Sequence, residues 1–132
     1  MSNLTLAAAG DNVHAVWRAG AALITRRLEA ATTTWTAEAP LETVTGVQEF
    51  CLAGGSNGGL LLTWTASNAV DAQLYSASTD TWGTTAPLLA AGDSIGYGSL
   101  ACAMDPRGRA TVAWTVWDPV ASSFSAFERT YR

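Results

Sequence analysis

The chain has 132 residues, 48% of them hydrophobic and only 14% charged, with a formal net charge of −4. That is enough apolar material for one folded domain and too little charge for long solvated helices. All seven basic residues are arginines, scattered without a basic stripe or interleaved aromatics, which argues against nucleic acid as a partner; no apolar run is long enough to cross a bilayer.

In chain order, a first strand over about Leu4–Ala8 leads through Gly10-Asp11-Asn12 into a second over Val13–Trp17. A third follows over Ile24–Ala30, then a threonine-rich turn carrying Trp35 and a fourth strand around Pro40–Thr45. The next stretch repeats this order: Glu49–Ala53, the glycine turn Gly54–Gly59, Leu60–Trp64, Ala72–Ala77, a turn with Trp82, and Pro87–Ala91. A last pass gives Ser99–Met104, the turn Asp105-Pro106-Arg107-Gly108, Ala110–Trp114 and Phe124–Tyr131. A shift of 47 lays Trp17 on Trp64, Trp35 on Trp82 and Ala39-Pro40-Leu41 on Ala86-Pro87-Leu88, and Trp114 follows 50 residues after Trp64.

This pattern predicts an all-β fold of about two and three-quarter copies of a four-stranded antiparallel unit, 4 + 4 + 3 strands, with a 47–50 residue period. The chain is then a single partial domain, 1–132, with units at about 4–46, 47–93 and an incomplete 97–132. The second strands are apolar on both faces, which implies cover on both sides. Trp17, Trp64 and Trp114 end those strands and are expected in the core. Asp105, Pro106 and Gly108 are assigned to a structural turn, where Pro presets φ and Gly supplies a positive one.

The segment Ala103–Trp114 resembles the D-P-x-G-x-A-x-V-x-W strand-turn-strand unit of bacterial secreted β-propellers, and through it the sialidase and Asp-box (BNR-like) families. The resemblance implies propeller blades and an extracellular or cell-surface setting, although Met1–Gly10 does not read as a signal peptide. It implies one of three functions: a non-catalytic module binding a glycan or protein through interblade loops, part of a sialidase-like glycoside hydrolase, or a structural spacer. Ser78-Thr79-Asp80-Thr81-Trp82 stands where an Asp-box would, but lacks its glycine, and Thr32-Thr33-Thr34-Trp35 lacks the aspartate, so both read as degenerate turns. Trp35, Trp82 and Trp117 lie near turns and are the candidate ligand-binding residues, since sugar-binding propellers present tryptophan faces between blades.

A sialidase would need an arginine triad and a Tyr/Glu pair. Arg26, Arg27, Arg129, Arg132, Glu128 and Tyr131 stand in no such sequence context, and Arg26 and Arg27, as strand neighbours, are expected to point to opposite faces and not to share a pocket. His14, the single histidine, takes the place of Leu61 and Thr111 in the other copies, which suits packing between sheets. Glu38 and Glu42 read as solvated turn charges. Cys51 and Cys102 fall in successive first strands but one residue out of register, so their side chains are expected on opposite faces, as unbonded buried thiols. No catalytic residue, metal site or cofactor is assigned. Fewer than three blades leave apolar faces and strand edges open, so the expected partners are the remaining blades of a longer chain or further copies that close the ring.

Overall fold

Short apolar alternations punctuated by glycine and polar turns favour strands over helices. The computed structural model describes residues 4–43, 46–66, 69–88, 100–118 and 120–131, without the side chains of 42 and 43. Among these residues every regular element is a β-strand and every pairing is antiparallel. The stretch expected to complete the fourth strand of the second copy, Leu89–Ala91, lies outside them, as do Ser99 and Arg132.

The first sheet is a meander of β1 (Leu4–Ala9), β2 (Asn12–Ala19) and β3 (Ala22–Glu29), with β4 (Thr34–Trp35) and β5 (Ala39–Thr43) both pairing with β3. The second sheet has the same plan in β6 (Val47–Gly54), β7 (Leu60–Ala66), β8 (Ala69–Ser76), β9 (Thr81–Trp82) and β10 (Ala86–Pro87). The third holds β11 (Leu100–Met104), β12 (Ala110–Asp118) and β13 (Ser123–Tyr131). Four strands were expected in each of the first two copies, and there are five. The threonine-rich turn pairs back onto the third strand at Leu28↔Trp35 and Tyr75↔Trp82 before the chain returns as β5 or β10. A two-residue strand has no periodicity to read.

Pairings of the first sheet recur 47 residues on: Val13↔Leu28 becomes Leu60↔Tyr75, and Thr25↔Ala39 becomes Ala72↔Ala86. Opposite Trp17, Trp64 and Trp114 stand Leu4, Phe50 and Leu100.

The sheets stack face to face, with the second in the middle. Its strand β7 is buried along its whole length. Leu60, Leu62 and Trp64 pack with Val16 and Leu23 of the first sheet, while Leu61 packs with Ala110, Val112 and Trp114 of the third. Each leucine buried in this way stabilises the fold by roughly 1.5–3 kcal/mol. Trp64 and Trp114 are buried, but Trp17 is only half-buried: it lies on the face of the first sheet that, among the described residues, no other sheet covers. Where β1 and β6 come together, a Cβ on Gly54 would fall 1.8 Å from the carbonyl oxygen of Ala8, so glycine alone fits.

In the turn before β12, Asp105 Oδ1 accepts the amides of Arg107 and Arg109, each at 2.9 Å, and Gly108 takes φ +80°. Arg109 Nε closes the turn on Asp105 Oδ2 at 2.6 Å. The Arg109 amide first, and then its side chain, hold the Asp105 carboxyl below the usual carboxylate range.

Cys51 and Cys102 form a disulfide, with Cα atoms 5.9 Å apart, which corrects the expectation of two unbonded thiols. Their one-residue offset was read correctly: Cys51 opposes Thr63 and Cys102 opposes Val112, on opposite faces of their own sheets. In stacked sheets, however, the upper face of one meets the lower face of the next. Opposite-facing positions on neighbouring sheets are therefore the ones that meet.

Candidate functional site between the first two sheets

His14 on β2 and Arg27 on β3 are register partners, so both side chains leave the first sheet on the face that meets the second. There they meet Tyr75 near the end of β8 and Asp80 in the turn to β9. The His14 and Tyr75 rings lie 5.1 Å apart and the Tyr75 and Trp82 rings 5.5 Å apart, both pairs tilted. Arg27 Nη1 donates to the Tyr75 hydroxyl at 2.9 Å and to Asp80 Oδ1, and Nη2 donates to Glu29 Oε1 at 2.8 Å. The Tyr75 hydroxyl in turn donates to Asp80 Oδ1 at 2.6 Å.

Asp80 reaches this position because it ends a four-residue hairpin turn with φ +51°. Thr33 ends the corresponding hairpin of the first sheet with φ +54°. Aspartate tolerates this left-handed region better than a β-branched residue such as threonine does. The sequence read Asp80 as the remnant of a degenerate turn. Its carboxylate spans the junction to pair with an arginine of the neighbouring sheet.

Above the cluster opens a cleft of about 330 Å³, bordered by His14, Arg27, Thr36, Glu38, Tyr75 and Trp82. Burial, and next the Arg27 charge, lower the His14 pKa to about 4 against a smaller opposing effect of Asp80, so the imidazole is neutral at ordinary pH. Hydrogen bonds to Glu29 and then Asp80 raise the Arg27 pKa. Those from Tyr75 and then Arg27 hold the Asp80 carboxyl low. Burial and the bond to Asp80 push the Tyr75 hydroxyl up. The cleft floor thus presents a fixed cation, a fixed anion, a phenol and a neutral imidazole beside an indole ring. Among the described residues no group of three His, Cys, Asp or Glu is placed to hold a metal ion.

Of the three candidate tryptophans, only Trp82 borders the cleft. Trp35 is 42% exposed on the outer face of the first sheet, with the Arg26 guanidinium 6.0 Å from its ring centre. Trp117 packs on Phe124 at the far end of the β12–β13 hairpin, ring centres 4.9 Å apart. The structure therefore does not bring the three together. Arg26 and Arg27 part to opposite faces, as expected of strand neighbours, and Arg26 lies at the rim of the cleft. Its Nε donates to the carbonyl of Thr36 at 2.8 Å, as Gln73 Nε2 does to Gly83 47 residues on, so its head group straps the chain after β4.

Glu128 and Tyr131 lie on β13 in the third sheet and face opposite ways, Glu128 outward against Ala113 and Tyr131 inward against Ala110. Arg129 lies over the Tyr131 ring at 5.8 Å. None of these three borders the cleft. Glu38 does, while the side chain of Glu42 lies outside the described residues.

Sequence reasoning missed Tyr75 and the joint action of His14, Arg27 and Asp80. A sign was available: the second copy carries Leu61 and Leu74 where the first has His14 and Arg27, and the first carries Thr33 where the second has Asp80. Polar departures at repeat positions that should pack mark a place where two units meet with different chemistry.

No family profile and no curated protein sequence matches the chain. Among solved structures, it is similar to a chain described as a novel fungal alcohol oxidase with catalytic diversity among the AA5 family, in complex with copper, at 12% identity and a TM-score of 0.47. That alignment covers 94% of this chain and 31% of the oxidase.

Proposed function

We propose that the chain is a run of propeller-type blades, of the kind its sequence resembles in the sialidase and Asp-box families, acting as a binding module that holds a glycan in the cleft between the first two sheets. The observation that carries this is the pairing of the Trp82 and Tyr75 rings with Arg27, Asp80 and Glu38 around one opening. A pyranose presents a C–H face and a rim of hydroxyls. An aromatic ring beside fixed planar donors and acceptors matches both, with little ordering cost. Recurrence of the strand register 47 residues on, from the first sheet to the second, supports the blade reading. A disulfide between sheets suits the oxidising compartment of a secreted protein.

The alternative of a sialidase-type hydrolase draws less support, because the Arg27 guanidinium is already engaged by Glu29 and Asp80 and, among the described residues, no arginine triad surrounds it. The test is a glycan-array screen followed by titration of the best hit against Trp82→Ala, Trp35→Ala and Trp117→Ala. Trp82→Ala should weaken binding by roughly 30-fold, as loss of a central aromatic anchor does, and the other two should leave it unchanged. Equal affinity for Trp82→Ala and the parent protein would sink the assignment, as would an empty array.

A further inference from the structure

His14 is only 3% exposed and meets the Tyr75 ring, yet no described residue hydrogen-bonds its imidazole. A side chain this deeply buried ordinarily has its polar atoms met within the protein. Packing does not call for an imidazole here: Leu61 fills the same register position of the second sheet at 0% exposure, and Thr111 that of the third. His14 also borders the cleft. Neutral at ordinary pH, its ring offers one N–H donor and one lone pair, and a hydroxyl group can meet either.

The charges around the cleft narrow the ligand further. Arg27 is paired with Glu29 and Asp80, and its Nε is buried. Arg26 holds the Thr36 carbonyl and sets its guanidinium 6.0 Å from the centre of the Trp35 ring, on the outer face. Asp80 and Glu38 both border the opening, so a ligand carboxylate or sulfate would meet two acidic groups with no uncommitted arginine to offset them. An ammonium group at His14 is opposed by Arg27, its register partner, for the reason that Arg27 opposes protonation of the ring. The chain at Thr36, which also borders the cleft, is fixed in advance. Its amide donates to the Arg27 carbonyl at 2.8 Å and its Oγ1 accepts the Arg27 amide at 3.0 Å, so a ligand need not order it.

We infer that His14 is a specificity-determining residue of the cleft: its imidazole hydrogen-bonds a hydroxyl of an uncharged sugar, and sugars bearing a carboxylate, sulfate or ammonium group are disfavoured. This rests on the glycan reading of the cleft and adds to it a contact residue and a ligand class.

The test sets neutral glycans beside sialylated, uronic, sulfated and de-N-acetylated ones on one array, with the parent chain, His14→Leu, His14→Gln and Trp82→Ala. The tightest ligands should be uncharged. His14→Leu should bind the best of them about tenfold more weakly, as loss of one hydrogen bond does. His14→Gln keeps a donor and an acceptor and should recover part of that loss. The chain has a single histidine, so in untagged protein the ring nitrogen resonances report on His14 alone. They should shift when the best neutral glycan saturates the parent chain. Unshifted resonances at saturation, or equal affinity for His14→Leu and the parent, overturn the inference even where Trp82→Ala abolishes binding and so upholds the glycan reading. A best ligand whose charged group is required for binding overturns it too. An empty array removes the glycan reading and the inference with it. Should His14→Leu unfold, the resonances of the unaltered chain decide alone.

Discussion

The middle sheet is joined to its two neighbours by different chemistry on the same backbone plan. At the first junction His14 and Arg27 meet Tyr75 and Asp80, so rings and charges hold the sheets together. At the second, Leu61 takes the place of His14, the apolar cluster around Val112 and Trp114 fills the space, and a disulfide crosses it. Tyr131 on β13 takes the place of Tyr75, but its hydroxyl is buried with no partner among the described residues. A repeated scaffold fixes where side chains meet and leaves open what they are. One junction is therefore tied to proton concentration and the other to redox state.

The sharpest way to break this contrast is to remove the staple. Replacing Cys51 and Cys102 together with alanine frees a segment whose ends lie 51 residues apart, which should cost about 4 kcal/mol by loop-closure entropy. Urea unfolding of the parent and the double variant measures it. An unchanged midpoint would mean that the apolar packing alone secures the second junction.

Next comes pH. His14 is held near pKa 4 in the folded chain against 6.5 ordinarily, so the unfolded state binds the proton first. Stability is then full above pH 6.5, falls between about 6.5 and 4, and stops falling on this account once the folded imidazole is also protonated. The loss is at most about 3 kcal/mol. Below that window the lowered Asp80 carboxyl adds its own decline as it protonates. His14→Leu, which copies the second junction, should flatten the upper window and keep the lower one; a slope that survives it must come from other groups.

The smallest effect compares the two phenols. Tyr75→Phe removes a hydroxyl with two partners and should destabilise by about 1 kcal/mol, whereas Tyr131→Phe removes one with none and should be neutral or stabilising. Thermal melts of both variants decide it, and equal losses would erase the distinction between the junctions.

Much of the strand plan could be read in advance because tryptophans and turn residues mark repeat positions regardless of what surrounds them. Trp17, Trp64 and Trp114 gave the register of the second strands, and Asp105-Pro106-Arg107-Gly108 its clearest turn. The two-residue strands at Trp35 and Trp82 were invisible, being shorter than any period. The cleft was hidden for another reason. His14, Arg27, Tyr75 and Asp80 each look unremarkable in their own strand or turn, and only stacking brings a β2–β3 pair over a β8–β9 turn. Misreading the cysteines had the same root: faces were compared within one sheet when the bond lies between two.

The disulfide also decides how the molecule bears load. A pull applied at β1 and β13 passes from β6 to β11 through sulfur, so the chain between Cys51 and Cys102, with β7 to β10, carries no tension while the bond is intact. Those 51 residues would otherwise add about 170 Å of extension. Strands β7 and β8, the deeply buried centre of the middle sheet, are thus shielded from stretching, while β6 up to Cys51 and the outer sheets bear it.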